Sequence, residues 1–323
     1  MKTALFAGAA SLVMLSSMVP AHAEGPILTA QVPIPVPGVG HFDFIQFDAE
    51  KHRLLACHPG AKQLDIVDVK TGQVTAIDTG DVNGVAVDAA DNRYYTAGPG
   101  QDIVVIDRTT LAKVADIPTS GPCDDVLYEP KSGMVYVAHD DGTEDWVVDP
   151  KTNKITGSVA IAGAPEVMTY SVTSDRVYQN IKPTNQVQVI DPSTNTVVST
   201  WSTVPAESPH GLAFNAKRNC LYSAGKNGTL AAIDIANGHS AGSCDIANGV
   251  DQIVFDPNTD RVYCACSGVI SVVRPSDEGV TRIGDVPITG VGHCITVDPT
   301  TGSVWIASGD DKGSFVQEFR PGS

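Results

Sequence analysis

The sequence predicts an all-β protein: a seven-bladed β-propeller with four-stranded blades, its last blade closed by the N-terminal strand. Three observations carry this. First, an apolar phrase ending in Asp, followed by a turn, recurs along the chain. It reads DIVD to Asp68, VVID to Asp107, WVVD to Asp149, QVID to Asp191 and AAID to Asp234, with a degenerate SVVR to Arg274. The steps are 39, 42, 42, 43 and 40 residues, and a period of about 40 to 45 filled with short strands is that of a propeller blade. Second, turn residues fall where hairpins need them, and no ten-residue stretch sustains a helical period. Third, the two ends of the chain complement each other, as set out below.

Residues 1–23 read as a secretory signal peptide. Lys2 gives a positive start, Ala4 to Val19 is mostly apolar, and Ala21-His22-Ala23 is an A-x-A cleavage site. The apolar run is too short for a spanning helix and no later segment approaches membrane length. The expectation is an exported, periplasmic protein, with residues 24–323 forming one propeller domain.

Each repeat then reads as four strands. Inner strands are expected at FIQFD 44–48, VAVD 85–88, VLYE 126–129, MTYS 168–171, LAFN 212–215, IVFD 253–256 and ITVD 295–298. Second strands follow a tight turn: RLLAC 53–57, RYYTA 93–97, MVYVA 134–138, RVYQN 176–180, CLYSA 220–224, RVYCA 261–265 and SVWIA 303–307. The apolar–Asp phrase is the third strand. Its Asp begins a turn and is expected to bond the turn amides. Tyr95, Tyr136, Tyr178, Tyr222 and Tyr263 recur at one second-strand position, as inter-blade packing requires. The last repeat has three strands only. ILTAQVPIPVPGVGH (27–41) shares VPI and GVGH with VTRIGDVPITGVGH (280–293), the outer strand of the sixth blade and its exit. The N-terminal segment is therefore a displaced fourth strand, expected to close the ring and to cover two sheet edges.

The phrases MVYVA, RVYQN and VIDPSTNTVVST resemble the YVTN-type repeats of exported seven-bladed propellers, the YncE-like group. The resemblance covers essentially the whole of residues 24–323. It implies the propeller fold, and it implies a binding role slightly more than an enzymatic one.

The formal net charge is −16. Such an acidic surface repels phosphate backbones and argues against nucleic-acid partners. Seven cysteines are present. In an oxidising compartment some are expected to pair, with at least one left over. No serine-nucleophile elbow, phosphate loop, dinucleotide fingerprint or haem-attachment motif is present.

One column carries the chemistry. The residue before each inner strand is Asp43, Asn83, Asp124, Glu166, His210, Asp251 and His293, at spacings of 40, 41, 42, 44, 41 and 42. In a propeller these positions converge at one mouth of the channel. Carboxylates so gathered repel one another unless a cation or proton neutralises them. Asp43, Asp124, Glu166, His210, Asp251 and His293 are thus candidate ligands of a divalent metal ion. Imidazole with carboxylate favours a transition metal, and the all-oxygen side leaves calcium open. The ends of the second strands place His58, His139 and Cys266 at the same rim, and His41 and Asn83 complete the expected ligand-binding shell. A hydrated polar funnel is the plain alternative. Two functions follow. One is a protein binding a metal, small molecule or peptide at the mouth. The other is a metal-dependent hydrolase or lactonase, with Glu166, His210 or His293 in catalysis.

Overall fold

The computed structural model of the chain describes Met1, residues 26–100 and residues 102–322. The signal peptide read at residues 1–23 lies outside the described residues, Met1 apart. Seven antiparallel sheets form a ring, and each contributes an inner strand to the channel wall. The inner strands are Ile45–Asp48, Gly84–Asp88, Cys123–Glu129, Pro165–Ser171, Pro209–Asn215, Ile253–Asp256 and Cys294–Val297. Six sheets have four consecutive strands; the seventh borrows from the N-terminus. There Leu28–Ala30 and Ile34–Val36 both pair with the last strand, Ser314–Pro321. The ring is thus closed by hydrogen bonds between the first and last strands, as the sequence predicts.

Burial divides into seven apolar clusters, one at each blade junction. A strand's two faces both meet neighbouring blades, so near-continuous apolar runs such as Ile103–Ile106 are fully buried. The tyrosine column fills these junctions, with every ring 0–1 % exposed. Burying each side chain is worth roughly 2–3 kcal/mol. The repeated Asp keeps its turn. Asp68 Oδ1 accepts from the Lys70 and Thr71 amides at 3.0 and 2.9 Å, and Asp107 Oδ1 from Thr109 and Thr110 at 3.0 and 2.7 Å. The seven cysteines are all free, six of them buried in the packed blades, so the expected pairing is not found. No helix among the described residues is long and apolar enough to cross a membrane.

Three inner strands depart from the predicted bounds by more than one residue. In blades 3, 4 and 5 they begin at Cys123, Pro165 and Pro209, three residues early, and their register shifts between Cys123 and Val126, Pro165 and Met168, and Pro209 and Leu212. These are bulges at the channel mouth, a device that re-aims side chains.

Candidate functional site at the channel mouth

Asp124, Glu166 and His210 are the second residues of those three bulged strands. Polar side chains satisfy backbone groups that the bulges free. Asp125 Oδ2 accepts from the Met168 amide at 2.7 Å, and Asn180 Nδ2 donates to the carbonyls of His210 and Gly211 at 2.9 and 3.0 Å. In blades 1, 2, 6 and 7 the column residues stand in the loop just before the strand. The amides of Asp43, Asn83 and Asp251 each donate to a second-strand carbonyl, at 3.1, 2.8 and 3.2 Å.

The column converges on a cavity of about 220 Å³ lined by Asp43, Asn83, Asp124, Glu166, His210 and Asp251. It shares lining residues with a channel of about 290 Å³ that is lined mostly by apolar residues of the inner strands. Asp125 and Gln252 line both. Gln252 is a brace: its Oε1 accepts from the amides of Ile45 and Ile295 and its Nε2 donates to the Ile45 carbonyl.

Two lysines that the sequence reading missed enter the mouth. Lys182 Nζ contacts Glu166, and Lys226 Nζ lies 2.9 Å from Asp251 Oδ1. Asp140 lines the same cavity. Asp140, Lys182 and Lys226 directly follow His139, Ile181 and Gly225, the last residues of their second strands and the same repeat position as His58 and Cys266. The reason is where the strands stop: their last residues pack within the blades, and the first residue beyond each strand lines the mouth. The assigned residues are packed accordingly. His58 is fully buried, its Nδ1 2.8 Å from Asp65, its ring stacked on Phe42 at 4.0 Å. His139 stacks on Trp146 at 4.4 Å. Cys266 is buried in the junction of blades 5 and 6. His41 is exposed on a loop whose carbonyl accepts from the Gly60 amide at 3.4 Å. None of these four lines the cavity, whereas Asn83 does and donates to Asp124 at 3.4 Å.

The electrostatics divide the ring. Burial, then Asp124 and Asp251, push Asp43 up to about 8. Burial and Asp140 push Asp124 up to about 6. Burial and Asp124 push Glu166 up to about 9 against the pull of Lys182. Asp251 goes the other way. Burial opposes its charge, but His293 and Lys226 overcome this and hold it down at about 2. His293 Nδ1 lies 2.7 Å from Asp251 Oδ2, and that contact raises its pKa. His210 is lowered to about 4 by burial and by Lys226. It therefore stays neutral at pH 7, its Nδ1 2.8 Å from the Ser208 carbonyl and its Nε2 3.6 Å from Glu166.

Two sets of ligand atoms lie within 4.8 Å of one another: Asp43, Asp251 and His293, and Glu166, His210 and Asp251. Either set offers two carboxylates and one imidazole, a donor mixture suited to zinc, manganese or iron. The second has its glutamate already engaged by Lys182. Chemically the mouth can hold a small cation, move a proton at His210 or Glu166, and admit a ligand from solvent.

Comparisons with known proteins agree on the fold. A chain in a crystal structure of a mitotic checkpoint complex superposes with a TM-score of 0.78 at 12% identity, covering 95% of this chain and 98% of that one. The structure of U3-55K superposes with a TM-score of 0.77 at 8% identity, covering 90% and 98%. At such identities the likeness is one of architecture. No curated protein matches the sequence. Residues 82–245 match the family DUF6923, described as a repeat of unknown function. That match spans just over half of the sequence, and the chain belongs to the DUF6923 repeat family.

Proposed function

We propose that the chain is an exported, periplasmic propeller that binds a divalent transition-metal ion at its channel mouth and presents it to a small molecule or peptide. In this reading residues 1–23 are removed and residues 24–323 form one domain. The observation that carries it is the convergence of ligand atoms from Asp43, Asp251 and His293 within 4.8 Å. Asp43 and Asp124 are the two ring carboxyls that form no ion pair among the described residues, and a metal ion beside Asp43 supplies the charge that burial there demands. His293 already orients Asp251, and Lys226 yields Oδ1 to the metal. Three protein ligands leave coordination positions open toward solvent. Calcium would need more oxygen, with Asp124 as the nearest ring candidate. The resemblance to exported YVTN-repeat propellers points to the same binding role.

The test is elemental analysis of protein prepared without a histidine tag or chelator, then reloaded with zinc, manganese, iron, copper or calcium. About one equivalent of a transition metal, lost in Asp43→Asn and His293→Ala, is expected. Failure of the wild type to retain any of these ions overturns the reading.

A second reading, a metal-dependent hydrolase or lactonase, is favoured by one observation. His210 is held neutral beside the proposed metal, as a general base requires. Glu166, pushed up by burial and Asp124 and in contact with Lys182 Nζ, is placed as the acid of the pair. Turnover of esters or lactones that disappears in His210→Ala, with metal content unchanged, would establish it.

A further inference from the structure

A second cavity, of about 650 Å³, opens between blades 5 and 6 at the strand ends remote from the mouth. The repeat serves as its own control for why this junction is hollow. In blades 1, 2, 4 and 6 the second strand begins with Arg53, Arg93, Arg176 and Arg261. In blades 2 and 4 that arginine pairs with the Asp ending the third strand: Arg93 with Asp107 at 2.8 Å, Arg176 with Asp191 at 3.1 Å. Blade 5 keeps the aspartate, Asp234, but the residue in register with it is Cys220. Beside it, Ala232 faces Tyr222, where Val105, Val147, Val189 and Val272 face the other tyrosines of the column. Together these two truncations leave out an arginine side chain and the branched methyls of a valine. Both Cys220 and Ala232 line the cavity, as does Asp234.

The vacated charge is not replaced from elsewhere. Asp234 accepts from the Ala236 amide at 2.9 Å and from Asn237 Nδ2 at 2.8 Å, and forms no ion pair with a Lys, Arg or His among the described residues. The nearby Arg218 is drawn to Asp260 at 3.0 Å and Asp277 at 2.7 Å. Asp277 and Glu278 sit on the tip of the blade 6 hairpin, Val269–Ser276 with Gly279–Pro287, and both line the cavity. Lys217 also lines the cavity, so three carboxylates, Asp234, Asp277 and Glu278, face two cations, Lys217 and Arg218.

We propose that this hollow binds an alkylguanidinium or alkylammonium cation. The aliphatic stem lies against Cys220, Tyr222, Ala232 and Val280, and the head meets Asp234 as Arg93 meets Asp107 in blade 2. A planar guanidinium suits a carboxylate better than an ammonium does, because it can donate two parallel hydrogen bonds.

The experiment is isothermal titration of the full chain with butylguanidinium, butylamine and butanol. Saturable binding of butylguanidinium is expected, weaker for butylamine, and weaker by about tenfold or more for butanol. Cys220→Arg restores the arginine that blades 1, 2, 4 and 6 carry at this position. It should still fold, melt at a higher temperature, and bind butylguanidinium at least about tenfold more weakly. Asp234→Asn and Ala232→Val should weaken binding without filling the charge position. Asp251→Asn at the mouth should leave binding unchanged. Equal binding of butanol, wild-type affinity in both Cys220→Arg and Asp234→Asn, no binding of either cation, or loss of binding in Asp251→Asn would each overturn the proposal.

Discussion

Two clusters of charge in this molecule are withdrawn from water, and they are finished to different degrees. Between blades 1 and 2, Arg108 is sealed against Asp48, donating from Nε at 2.7 Å and Nη2 at 2.6 Å, while Tyr94 donates to the same carboxylate at 2.6 Å. Nη2 also reaches Glu50 at 2.9 Å. Burial opposes the charge on Asp48, yet the Arg108 and Tyr94 bonds win and hold it below the usual range. Arg108 is correspondingly raised by its bond to Asp48. At the mouth, carboxyls outnumber amines, and Asp43, Asp124 and Glu166 are all pushed up. The first cluster is complete without a ligand. The second keeps three carboxyls above the ordinary range, and the proposed metal site rests on that imbalance.

The contrast is broken most directly at Arg108. Arg108→Met leaves Asp48 buried without its partner and should cost about 3–5 kcal/mol in urea unfolding. A loss below about 1 kcal/mol would put the two clusters on the same footing. Next comes Asp43→Asn. Asp43 has a folded pKa of about 8, above the ordinary 3.8. Its contribution to stability is therefore full below pH 3.8 and lost as pH rises toward 8. The variant should be more stable than wild-type metal-free protein by about 1–3 kcal/mol at pH 8 and indistinguishable from it near pH 4. Asp48 has the opposite sign. Its folded pKa is lowered, so its contribution is present above 3.8 and lost as pH falls through the folded value. Unfolding curves at several pH values, for wild type and both variants, separate the two slopes. The smallest effect sharpens the picture within the mouth. In a proton-NMR titration His210 should charge only near pH 4, while His293, raised by Asp251, should charge above 6.5. Coincident titration of the two imidazoles would mean that the ring is not divided as described.

Much of this could be read along the chain because a repeat turns position in sequence into position in space. The column from Asp43 to His293 was visible as seven polar residues at a fixed phase, and six of them line one cavity, with His293 2.7 Å behind Asp251. What failed was the second column, by one residue. His58, His139 and Cys266 pack inward, while Asp140, Lys182 and Lys226 reach the mouth. The strands run one residue further than the turn signals suggested, to His58, His139, Ile181 and Gly225, and the loop residue after the strand faces the channel instead. Reading the position after each strand end would have found the lysines.

Local pattern alone determined the blades, their number, the closing strand and the phase of the ring, because strand alternation and turn chemistry act over a few residues and repeat. Only the tertiary structure decided which carboxylates are answered by an amine and which are not. That depends on distances between side chains 16 and 25 residues apart, as for Lys182 with Glu166 and Lys226 with Asp251, and on how far each is buried, and neither is fixed by local periodicity. The hollow between blades 5 and 6 belongs to both levels. Cys220 and Ala232 were present as departures from the repeat, but whether neighbours would collapse into the space or leave it open was a matter of packing.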